Sequence, residues 1–157
     1  MVSKLMYSLE VVYLNAAETR KLDAFHHKCL RRIAGIKPSY VSRVSNATVR
    51  NTLHAKPLAQ TLLRRQLIYL GKLAAKPPNN VLREFVFEDG RTSLRPFSGP
   101  RRRGRPRSCW IKHVYNHALK VAGNQASLST LWSSTPAAKT AWESAVSAYC
   151  NEMFSLQ

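Results

Sequence analysis

Carboxylates are the scarcest functional group in this chain. Only eight of its 157 residues are Asp or Glu, and just two of those, Asp23 and Asp89, are aspartates. Polymerases and nucleases that work with two metals hold their ions in clusters of such groups, so a catalytic centre of that kind is not expected. The densest acidic group, Glu84 with Glu88 and Asp89, reads as an exposed turn. Cysteine is equally rare: Cys29, Cys109 and Cys150 are far apart and odd in number. That usage suits a reducing compartment, nuclear or cytoplasmic, better than a disulfide scaffold.

Other absences narrow the chemistry further. His26 and His27 with Cys29 find no second ligand pair at a zinc-like spacing, and His113 with His117 is too small a set to imply a metal. No phosphate-cradling glycine loop and no signature of a nucleophilic Ser or Cys is present. The expectation is therefore a protein with no catalytic residue, no metal and no cofactor. Long hydrophobic runs are missing too. Leu5 to Leu14 is interrupted by Glu10, is too short to span a bilayer, and lacks a small-residue cleavage site. Neither a membrane partner nor export is expected.

What the chain does have is positive charge. Lys and Arg number 25, giving a formal net charge of +17, while 45% of the residues are apolar. Enough apolar residues are available to build a core, and the charge points to nucleic acid, DNA or RNA, as the partner. The densest part is Pro100 to Arg107, with five arginines in eight residues and no acid. Over the wider window Arg95 to Arg107, Pro96, Gly99, Pro100, Gly104 and Pro106 interrupt the run, which cannot close into a regular helix. Guanidinium forks match phosphate oxygens in pairs, so Arg101, Arg102, Arg103, Arg105 and Arg107 are candidate phosphate contacts.

The rest reads as all-α, with five or six short to medium helices and an extended Arg/Pro/Gly-rich linker near 95–107. Residues 4–14 read as a short apolar helix or the end of a longer one. Asn15 with Glu18 is a capping-box pattern opening a helix that runs to about Ala34 and stops at Gly35. Leu22, Phe25, Cys29 and Ile33 would form its core face, leaving Lys28, Arg31 and Arg32 largely on the remaining surface. Ser45 caps a brief helix to about Leu53. Beyond Pro57, Leu63, Leu67, Leu70 and Ala74 make an apolar stripe with Arg64 and Arg65 alongside. Val81 to Glu88 is ambiguous: Phe85, Val86 and Phe87 favour a strand that has no visible partner. Ser108 can cap a helix from Cys109 to about Ala122, and Thr135-Pro136 starts a last one carrying Trp142 and Tyr149.

Arg103-Gly104-Arg105-Pro106 resembles the core of an AT-hook. Glycine lets a backbone press into a narrow minor groove while flanking arginines follow its floor. Plain phosphate binding and a nuclear-import signal fit the same residues.

The order of segments carries a second resemblance. Tyr7-Ser8-Leu9-Glu10 is followed by Leu22-Asp23-Ala24-Phe25 and by Cys29-Leu30-Arg31-Arg32-Ile33-Ala34-Gly35-Ile36. Then come Arg64-Arg65-Gln66-Leu67-Ile68-Tyr69-Leu70-Gly71-Lys72, Arg102-Arg103-Gly104-Arg105-Pro106-Arg107 with Trp110, and Trp142. Together they resemble the region downstream of the polymerase core in LINE-type (non-LTR) retrotransposon reverse transcriptases. Ser8, Val12 and Lys72 stand where that family usually has glycine, tryptophan and histidine. The paired aspartates of its polymerase and its endonuclease are missing.

The resemblance implies a non-catalytic, thumb-adjacent segment gripping template–primer or target nucleic acid, with the missing polymerase core as a second partner. Its expected layout is a basic helical region at 1–76, an irregular linker with the Arg-Gly-Arg-Pro strip at 77–107, and a small helical region at 108–157. A structural ribonucleoprotein component, ribosomal or organellar ribosomal, is the rival reading that size and composition permit.

Overall fold

The computed structural model describes residues 6–96 and 109–155. Among them the protein is all-α, with eight α-helices and one 3-10 turn, so the helix count exceeds the five or six expected. We number them α1 (Ala16–Ile33), α2 (Ser39–Ser42), α3 (Asn46–Thr52), α4 (Leu58–Ala74), α5 (Val81–Val86), α6 (Trp110–Ala122), α7 (Gln125–Leu131) and α8 (Pro136–Ser155). The chain divides into two compact units, one of Leu14–Leu62 and one of Met1–Tyr13 with Leu63–Gln157.

In the Leu14–Leu62 unit, local chemistry fixes the helix ends. The Asn15 side chain accepts from the Glu18 amide at 2.9 Å, while the Glu18 carboxylate accepts from the Asn15 amide at 2.8 Å. This box satisfies two of the donors that open α1. Gly35, at φ +66°, ends it in the left-handed region that glycine tolerates best. Ser45 caps α3 by accepting from the Thr48 amide. α1 packs against α3, but not on the expected face. His26, Leu30 and Arg31 are buried, whereas Phe25 is 49% exposed and Ile33 66% exposed. The guanidinium of Arg31 has neutral acceptors on that side, and a hydrophobicity pattern counts it as surface.

The other unit holds the main core. Leu63, Leu67, Leu70 and Ala74 of α4 are buried, as their spacing predicts. They join Val86, Phe87, Val114, Ala118, Leu128, Trp132, Trp142, Val146 and Cys150 in one cluster, and α6, α7 and α8 pack on one another. Over 6–14, the described part of the segment, the short helix expected does not form. Ser8 sits at φ 60° and Val12 is extended, leaving a single 3-10 turn, Leu9–Val11. Gln66 holds that turn by donating to the Leu9 and Val12 carbonyls at 3.4 and 3.1 Å.

Within the segment read as an irregular linker from residue 77, Val81–Val86 is helical, and Phe87 then bridges to Leu94 in the antiparallel sense. The buried side chain of Arg83 fixes this helix by donating to the carbonyls of Ala74 at 3.1 Å and Arg91 at 3.3 Å.

Candidate nucleic-acid interface

The Leu14–Leu62 unit carries nine Lys and Arg against two acids, Glu18 and Asp23. At its centre lies Arg31, 7% exposed. Its Nε donates to the Asn46 side-chain oxygen at 3.2 Å. Nη1 donates to the Lys37 carbonyl at 3.1 Å and to the Ser42 hydroxyl at 3.3 Å. Nη2 donates to the Val44 carbonyl at 2.5 Å and to Asn46 at 3.0 Å. All of these acceptors are neutral. They meet the donor demand of the guanidinium but leave its charge in place, and a partly desolvated charge acts over a longer range than a hydrated one. Arg31 is therefore a structural clamp in the loop rather than the surface contact that its sequence position suggests.

Around it runs a groove of about 690 Å³. Lys28, Arg31 and Arg32 line it from α1, Pro38, Ser39 and Tyr40 from the loop and α2, and Asn46 from α3. Lys28 and Arg32 are exposed. Tyr40 is 85% exposed. Beside the groove, Arg50 donates to Nε2 of His27 at 3.1 Å, so that ring nitrogen is the acceptor, since a guanidinium has no lone pair to offer. Burial, then the neighbouring His27, holds His26 below the usual imidazole range. Lys28, Arg31 and Arg32, read from the sequence as basic surface of α1, thus share one groove, with Arg31 buried in it. Tyr40 and Arg50 are absent from the sequence expectation; the signal for Tyr40 was an aromatic set in a short polar loop after Gly35-Ile36-Lys37-Pro38.

Arg64 and Arg65 belong to the other unit. Arg64 is exposed and its Nε donates to the Ser147 hydroxyl at 3.2 Å. Arg65 is partly buried and pairs with Glu10 at 3.5 Å. A second groove, about 390 Å³, has Gly71, Lys72, Trp132, Lys139 and Trp142 among its lining. Trp142 donates its indole N–H to the Leu67 carbonyl at 3.2 Å.

His117 and Tyr149 share a hydrogen bond of 2.8 Å. Burial, with His113 and Lys120 nearby, lowers the His117 imidazole to about 4, so it is neutral at physiological pH. Among the described residues no group of three or more His, Cys, Asp or Glu is placed to hold a metal ion. Nor is any helix among them long and apolar enough to cross a membrane. Arg101, Arg102, Arg103, Gly104, Arg105, Pro106 and Arg107 lie outside the described residues, as does the expected cap Ser108.

No protein family, curated protein or solved structure matches the sequence.

Proposed function

We propose that this chain is a non-catalytic nucleic-acid-binding fragment, akin to the region that follows the polymerase core in non-LTR retrotransposon reverse transcriptases. The observation that carries the reading is the unmatched charge: nine basic residues against two acids in the Leu14–Leu62 unit, with a buried guanidinium held by neutral acceptors only. Polyanion is the partner such a surface attracts. Supporting the family reading, separate pieces of the resemblance meet on α4. Glu10 pairs with Arg65, the Tyr69 and Trp110 rings lie 6.0 Å apart, and Trp142 packs on Gly71. Arg101, Arg102 and Arg107 add sequence-independent phosphate contacts, and Arg103-Gly104-Arg105 a minor-groove element over A·T tracts.

Mobility shifts on duplex DNA, single strands and structured RNA test the reading. If about five cations neutralise phosphates, affinity falls by roughly two to three orders of magnitude between about 50 and about 200 mM salt. An affinity that barely moves over this range overturns it. Arg103→Ala with Arg105→Ala is expected to abolish any A·T preference, whereas Arg102→Ala weakens all sequences alike.

A further inference from the structure

We infer that the groove of the Leu14–Leu62 unit is a single-strand subsite, in which Lys28 and Arg32 hold phosphates and the Tyr40 ring stacks on an unpaired base. The inference rests on the nucleic-acid-binding reading and narrows it to one class of ligand. Its starting point is Tyr40. A tyrosine 85% exposed contributes little buried area to the fold, and among the described residues no aromatic ring is paired with it. Yet the short helix α2 that carries it is held at both ends.

Arg31 binds the Lys37 carbonyl on one side of Tyr40, and the Ser42 hydroxyl and Val44 carbonyl on the other. The Ser42 hydroxyl in turn donates to the Pro38 carbonyl at 3.2 Å, and Arg43 closes α2 at φ 54°. An aromatic presented from an anchored backbone loses little conformational entropy when a ligand stacks on it.

The cations complete the site. Lys28 and Arg32 line the same groove as Tyr40 and are exposed, and the buried Arg31 charge lies beneath with no carboxylate among its hydrogen-bond partners. Cationic walls beside a free aromatic face suit a strand whose backbone and bases are both accessible, because every base has a stacking face. A duplex offers phosphates to the cations but keeps its base faces stacked inside. DNA and RNA strands share this chemistry.

The test is fluorescence anisotropy of the full chain with end-labelled strands of about twelve nucleotides, a length within the reach of a single basic groove. Oligo-deoxyadenylate, oligo-riboadenylate, an abasic strand of the same length and the matching duplex are compared. The tighter of the two adenylates identifies the preferred sugar. For that strand Tyr40→Ala is expected to weaken binding about tenfold, and Tyr40→Phe, which keeps the ring, by less than about twofold.

The abasic strand should bind more weakly than the base-bearing one and ignore Tyr40→Ala. Arg32→Ala should weaken both strands alike and reduce the single-strand salt slope by about 0.7. If the wild-type chain binds none of the four probes, the nucleic-acid reading falls and the subsite with it. If it binds them but Tyr40→Ala leaves the adenylates unaffected, or weakens the abasic strand equally, the subsite alone is overturned.

Discussion

Two arginines show how a protein short of carboxylates uses its cations internally. Arg31 and Arg83 are 7% and 8% exposed, and both donate to backbone carbonyls. The fork of five donors lets one side chain satisfy several chain oxygens that would otherwise be buried unpaired. Replacing Arg31 by Met removes that partner from the Lys37 and Val44 carbonyls and from Asn46, with an expected loss on the order of 3 kcal/mol. Lysine keeps the charge but cannot span the same acceptors, so Arg31→Lys should recover less than half of the loss. Urea unfolding of the three proteins measures both. Equal stability of all three would show that the clamp is ornamental to the fold.

Among the elements, α4 is the member on which the larger unit is built. It receives Glu10 and the 3-10 turn containing it through Arg65 and Gln66, and α8 through Trp142. Gly71 is the point of closest approach: a β-carbon there would lie 2.7 Å from Cδ1 of Trp142, inside any tolerable contact. Helix propensity favours alanine at such a position by about 1 kcal/mol, but the overpacking costs about 1–3 kcal/mol and displaces the indole from its bond to Leu67. Gly71→Ala should therefore lower the thermal midpoint. A midpoint that rises would mean the indole can withdraw freely.

The elements that the sequence announced are those with local causes. Asn15 with Glu18 and Ser45 with Thr48 sit within one helical turn of their partners, and the α4 stripe follows simple periodicity. Where the cause was tertiary, the reading slipped. Phe85-Val86-Phe87 carries strand propensity and read as ambiguous; the buried Arg83 fastens Val81–Val86 as a helix, while Phe87 leaves it extended and bridges to Leu94. α7 is only seven residues long, is capped by Asn124 directly after Gly123 closes α6, and had no counterpart in the expectation. Lys28, Arg31 and Arg32 were legible as a basic set, while the inward turn of Arg31 depended on acceptors up to fifteen positions away. Tyr40, a single aromatic in a short polar stretch, carried too weak a signal to enter the expectation.

At the scale of the whole molecule, 25 basic residues against eight acidic ones make the protein repel itself. Salt should then act in opposite senses on folding and on binding. Raising it from about 20 to about 200 mM screens surface repulsion, so the thermal midpoint is expected to rise over the range in which nucleic-acid affinity collapses. A midpoint falling in parallel with affinity would indicate that ion pairs, not burial, hold the fold together.

The two units also differ in when they can close during synthesis. Leu14–Leu62 is a continuous stretch, whereas its companion needs Glu10 from before that stretch and Trp142 from near the far end. As the nascent chain leaves the ribosome, every partner of Arg31 has emerged within fifteen residues of it. The basic groove is therefore able to mature while Leu67 and Leu70 still wait for the last helix to cover them.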